Sequence, residues 1–151
     1  MSRPIEMDSK EDGKAVFFDH RIQPQFFDII ENARESVIFV TPYVRLWDNL
    51  KRAMSKAILR GVEITFIIRK EQEHRNPEDK KRFDEDMKWF RDNSVQLLEV
   101  SRLHVKIYLN EEKILVSSMN VLRSSIDDSM EFAMIVNREA DKKMFREYVR
   151  H

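Results

Sequence analysis

Apolar and polar positions along this chain change period several times, and each change predicts an element. Residues 1–13 are polar and charged and read as a flexible lead-in, followed at 15–18 by a short apolar run, "AVFF", with strand character. Pro24 suits the first turn of a helix, on which Phe26, Phe27, Ile30 and Ala33 recur at helical spacing. Residues 36–41, "SVIFVT", are β-branched and aromatic and predict a buried strand stopped by Pro42. Trp47, Leu50, Met54, Ala57 and Ile58 then predict an amphipathic helix over 46–60, with Gly61 placed to end it. Residues 62–68, "VEITFII", predict the next strand. Asn76-Pro77-Glu78-Asp79 supplies an N-cap, a proline at N1 and acids in the first turn, so a helix should run to residue 92 with Phe83, Met87 and Phe90 inward. Four strand-like runs follow at 95–100, 104–109, 113–118 and 131–136, with "NEEK" at 110–113 as a hairpin turn. A last helix over 138–150 should carry Met144, Phe145 and Tyr148 on one side.

Early strands alternate with helices, which implies right-handed crossovers and parallel pairing. The later strands are closely spaced and imply a hairpin. The expected fold is α/β, a mixed, largely parallel central sheet sandwiched by helices. A chain of 151 residues suits a single domain, here 14–151. The 27 basic and 27 acidic residues cancel, which argues against a general polyanion binder and leaves room for a local basic cleft. Cysteine is absent, which removes disulfides and cysteine-based metal sites. No apolar run approaches the roughly 18–20 residues of a membrane span, and the polar start has no signal-peptide core. A cytoplasmic protein is the expectation.

Candidate chemistry concentrates in 103–120, "LHVKIYLNEEKILVSSMN". On a strand, alternate side chains share a face, so His104, Lys106 and Tyr108 lie on one side and Val105, Ile107 and Leu109 on the other, the expected core side. Ser118 and Asn120 also share a parity, and across a hairpin the two sets can meet. An imidazole, an ammonium, a hydroxyl and an amide together suit a phosphodiester: lysine supplies charge, serine and asparagine supply neutral donors, and histidine attacks phosphorus or moves a proton. Glu131, an odd residue to lead the apolar "EFAMIV", is the candidate carboxylate to fix the histidine tautomer.

His104-x-Lys106, Ser118-x-Asn120 and Glu131 resemble the HKD signature of the phospholipase D superfamily, H-x-K-x4-D-x6-G-S-x-N followed by a downstream Glu. "VIFVTPYV", "LKRAMSKAILRGVEITFII" and the final helix extend the resemblance to one half of that fold, from about residue 15 onward. Two positions depart from the pattern. The acidic position falls on Asn110 or Glu111, depending on which strand keeps register, so the hairpin is one residue short. The glycine before the serine is Ser117.

The resemblance implies a two-step, metal-independent phosphodiester transfer through a phosphohistidine, with no cofactor. It implies a second histidine from a second motif. The other histidines, His20, His74 and His151, have no lysine two residues on. By likeness to the small single-motif endonucleases of the superfamily, the expectation is a two-fold homodimer with the site at its interface. Tyr43, Arg45 and Arg69 follow strands and are candidates for substrate binding, against the alternatives of loop packing for Tyr43 and solvated surface charge for the arginines. Ser124 and Ser125 either turn the chain after Asn120 or assist chemistry. A nuclease acting on DNA or RNA is favoured over a lipid enzyme by the small size, the single motif and the absence of a lipid-anchoring segment. A non-catalytic nucleic-acid-binding or accessory module and a phospholipase stand as alternatives.

Overall fold

The computed structural model describes residues 7–9, 14–122 and 130–150. Its elements in chain order are β1 (Met7–Ser9), β2 (Lys14–Phe18), a 3₁₀ turn (Asp19–Arg21), α1 (Ile22–Glu31), β3 (Ser36–Val40), α2 (Asp48–Leu59), β4 (Glu63–Arg69), α3 (Pro77–Asp92), β5 (Gln96–Val100), β6 (Ile107–Asn110), β7 (Ile114–Ser117), β8 (Phe132–Val136) and α4 (Glu139–Arg150). Each expected helix and strand forms, with ends shifted by a few residues. β1 is an addition: it pairs with β2 inside the stretch expected as a loose lead-in. Ser124 and Ser125 lie outside the described residues.

The described strands form one mixed sheet in the order β1-β2-β8-β7-β6-β3-β4-β5. The mixed α/β expectation holds, but the parallel majority does not. Five neighbouring pairs are antiparallel and two, β3–β4 and β4–β5, are parallel. Only α2 and α3 serve as crossovers between strands that end up parallel neighbours. β6 and β7 are joined by a turn too short for one, so they run antiparallel, and β8 and β2 continue that meander.

Both sheet faces are covered. On one, Phe26 and Ile30 of α1, Leu50 and Met54 of α2, and Met87 and Phe90 of α3 pack on Phe39, Phe66, Tyr108 and Leu115. Phe39 and Phe66 stack with ring centroids 4.4 Å apart. On the other face, Val40, Ile67, Ile107, Leu109, Ile114 and Val136 form a second cluster, closed by Phe145 and Val149 of α4. Alternation therefore separates two cores rather than core from solvent, and Tyr108 is buried. On α4 the packed stripe is Phe145 and Val149, four residues apart. Met144 and Tyr148, on the neighbouring stripe, are exposed.

Strand β6 begins at Ile107, three residues later than expected, so His104 to Lys106 approach it as an extended segment. The ladder still reaches that segment, because Ser117 donates its N–H to the Lys106 carbonyl at 3.0 Å.

Candidate active site

Strand direction gathers the candidate residues. β3 and β4 run parallel, so their C-terminal ends share one edge of the sheet. β6 is antiparallel to β3 and starts at that edge, where Ile107 faces Val40. β7 ends there, β8 begins there and β2 ends there. His104 and Lys106 before β6, Ser118 and Asn120 after β7, Glu131 before β8, and Thr41, Tyr43 and Arg45 after β3 all fall at this one end.

Ser118 and Glu131 are joined directly: the Ser118 hydroxyl donates to the Glu131 carboxylate. The same hydroxyl oxygen accepts the Phe132 N–H at 3.0 Å, and the Ser118 N–H donates to the Phe132 carbonyl at 3.0 Å. Glu131 is anchored from the β2 side as well. Its N–H donates to the Asp19 carboxylate at 2.9 Å, and its carbonyl accepts the Asp19 N–H at 3.0 Å. Ser117, where the resemblance expects a glycine, is a buried tie. Its hydroxyl donates to the Phe132 carbonyl at 3.2 Å and accepts the Met119 N–H at 3.0 Å. His104 is exposed, and no hydrogen bond joins its ring to another described residue. Lys106 folds back to donate to the His104 carbonyl at 3.2 Å.

Beneath the site, the Tyr108 hydroxyl donates to the Met119 carbonyl at 2.5 Å. Burial drives the Tyr108 phenol far above its ordinary pKa, and the nearby Glu131 charge adds to the shift. Tyr108 is thus a fixed neutral donor. Thr41, equally buried, stands 3.5 Å from the Asn120 side-chain oxygen and accepts the Val121 N–H at 3.2 Å. Sequence reasoning left out Thr41 and Asp19 as parts of this site, and it set Tyr108 beside His104 and Lys106 rather than buried beneath them. Thr41 gave one signal, a hydroxyl closing an otherwise apolar strand at its C-terminal end.

The three candidate substrate binders differ. Tyr43 lines an open cleft of about 820 Å³ between the first turns of α2 and α3, next to the site and shared with Trp47, Arg75 and Arg82. Arg45 is paired with Asp79 at 2.7 Å and lies 5.7 Å from the Phe83 ring centroid. Arg69 contacts Glu71 at 3.4 Å, and its buried Nε lacks a hydrogen-bond partner. Glu71 accepts the Arg102 N–H at 3.0 Å, the leading cause of its lowered pKa.

The two candidates for the acidic position lie at the opposite end of the sheet. Asn110 donates to the Ile29 carbonyl at 3.0 Å and accepts the N–H groups of Glu112 and Lys113 at 2.9 and 2.7 Å. Glu111 accepts the Arg34 N–H, and the Ser36 N–H at 3.4 Å. Its partial burial opposes ionisation, but backbone donors outweigh it and leave the pKa lowered. Both residues fasten the shortened hairpin to α1 and β3.

A family model described as cardiolipin synthase, PLD-like domain, matches residues 26–151. The chain belongs to this phospholipase D-like family. No curated protein matches this PLD-like chain in sequence. Among solved structures, Nuc from Salmonella typhimurium, a phospholipase D family member, is 16% identical with a TM-score of 0.71, over 89% of this chain and 91% of that one. NucT from Helicobacter pylori is 14% identical with a TM-score of 0.72 and the same coverage of both chains. TrmBL2, an archaeal chromatin protein described as binding DNA, is 11% identical with a TM-score of 0.60, over 94% of this chain and 52% of that one. At these identities the likeness carries the PLD-like fold. Among the described residues, no helix is long and apolar enough to cross a membrane.

Proposed function

We propose that this PLD-like chain is a metal-independent phosphodiesterase that cleaves DNA or RNA through a phosphohistidine, in a site completed by a second copy. The observation that carries the reading is the convergence of His104, Lys106, Ser118, Asn120 and Glu131 at one sheet end, from three separate connections. Lys106 and Asn120 hold the non-bridging oxygens, and Ser118 supports them. A ring nitrogen of His104 attacks phosphorus. The N–P bond forms as the bond to the leaving oxygen breaks, and His104 of the partner subunit gives that oxygen a proton. The same partner histidine then takes a proton from water, whose oxygen displaces His104 and frees the phosphate ester. Glu131, whose carboxylate accepts the Ser118 hydroxyl, is the carboxylate that orients His104 in this reading.

These 151 residues supply one H-x-K, and in this reading a second copy of the chain supplies the other. Nucleic acid is favoured over lipid by the adjacent cleft. Tyr43 and Trp47 offer rings for base stacking, and Arg75 and Arg82, which form no ion pair among the described residues, offer charge to neighbouring phosphates, although Glu73, Asp79, Glu85 and Asp86 line the same cleft. The DNA binding described for TrmBL2 agrees with this choice. The family model's description points instead to lipid, and the unanchored His104 ring suits a non-catalytic binding module.

The test is cleavage of labelled single-stranded DNA, duplex DNA and RNA in excess EDTA, beside His104→Ala. Cleavage in EDTA that the variant lacks is the expected result. Equal rates in both proteins would remove the mechanism. Binding without cleavage would favour the module, and headgroup release from vesicles alone would favour the lipid enzyme.

A further inference from the structure

Asn120 sits in a backbone clamped on both sides. The Arg45 N–H donates to the Val121 carbonyl at 2.9 Å, beside a parallel bridge between Val44 and Val121. On the other side the Tyr108 hydroxyl holds the Met119 carbonyl. These bonds fix where Asn120 is but not which way its amide faces. A primary amide turned by 180° keeps its shape and exchanges a donor for an acceptor. Facing a phosphate, the NH₂ attracts and the carbonyl oxygen repels.

The Thr41 hydroxyl supplies what the backbone does not. Its oxygen accepts the Val121 N–H at 3.2 Å, its single proton can reach the Tyr43 carbonyl at 2.8 Å or the Asn120 Oδ1 at 3.5 Å, and it lies beside the Tyr108 hydroxyl as well. Thr41 is fully buried, so no bulk water replaces it in this role. We propose that Thr41 is a positioning residue: with phosphate at the site, its hydroxyl holds the Asn120 oxygen inward, so that the amide NH₂ faces the substrate phosphate. The inference rests on the phosphodiesterase reading. Phosphate binding to the NH₂ polarises the amide, makes its oxygen the stronger acceptor and draws the Thr41 proton from the Tyr43 carbonyl to Asn120. Tyr43, at the mouth of the cleft, thereby shares its hydroxyl partner with the phosphate site.

Thr41→Val keeps the shape and removes the hydroxyl, whereas Thr41→Ser keeps the hydroxyl. Both are combined with Asn120→Ala and assayed below their melting temperatures on the nucleic acid that the unaltered protein cleaves. Thr41→Val should lower kcat about tenfold, the weight of one hydrogen bond, with KM little changed, and Thr41→Ser should restore it. In the Asn120→Ala background, Thr41→Val should cost nothing further. An equal loss in both backgrounds, or no loss in either, overturns the inference while leaving the phosphodiesterase reading in place. Orthovanadate affinity reads the same relation without turnover: Thr41→Val should weaken it as much as Asn120→Ala does. Equal affinity in Thr41→Val and the unaltered protein overturns the inference. Neither turnover nor vanadate binding in the unaltered protein removes the underlying reading and the inference together.

Discussion

Asn110 and His104 lie three residues either side of Ile107 and have opposite energetics. Asn110 is buried, and its side chain makes three hydrogen bonds that join α1 to the β6–β7 turn. Asn110→Ala leaves the Ile29 carbonyl and two N–H groups without a protein partner. A loss of about 2–3 kcal/mol is expected, read as a lower urea midpoint with unchanged slope. His104 is exposed and its ring is bonded to no described residue. His104→Ala should therefore move the urea midpoint by no more than about 0.5 kcal/mol while abolishing turnover. Tyr108→Phe falls between them. It strips the Met119 carbonyl of its donor, and about 1–2 kcal/mol of stability should go with it.

At the scale of the element, α3 begins where its sequence says it should. The Asn76 side chain accepts the Asp79 N–H at 2.8 Å, Pro77 occupies N1, and two acids follow. Asn76→Ala should cost about 1 kcal/mol, measured by thermal melting. Asp79 links this helix start to the site. The Arg45 guanidinium beside it, first among the causes, holds its carboxyl below the ordinary value, with the Arg75 N–H next. A depressed carboxylate stabilises the fold above its unfolded pKa, near 3.9, and loses that contribution as pH falls through the lower folded pKa. In Arg45→Met the Asp79 titration should move upward, as followed by carboxyl carbon NMR shifts. An unmoved midpoint would mean that the Arg45 pair contributes nothing at this helix start. α4 is the element that its own pattern describes least well. Its two apolar stripes are adjacent, and packing on the second core cluster selects Phe145 and Val149 over Met144 and Tyr148.

For the whole molecule, the proposed shared site takes one histidine from each chain. Sedimentation should therefore find a dimer at assay concentrations. Excess His104→Ala protein, exchanged into the unaltered protein, should suppress cleavage beyond simple dilution, because every mixed dimer lacks either the nucleophile or the acid. Activity that falls only in proportion to dilution would mean that each chain works alone.

Within the chain, the polar signature at 104–131 was legible because strand alternation is local: two residues along a strand always share a side. The helices were legible for the same reason, and the α3 cap most plainly. Pairing direction in the second half was not legible. The gap between β8 and its distant partner β2 carries no local signal, and the lead-in hid β1. The sequence by itself determined which polar side chains fall in step along 104–131, and which runs would become strands and helices, because those follow from residue type and period over a few neighbours. Only the tertiary structure decided that three connections end at one sheet edge, that Asn110 and Glu111 serve the far hairpin, and that Thr41 stands behind Asn120. These depend on strand order and register, which are set by contacts between distant residues, such as that of Glu131 with Asp19, 112 positions away.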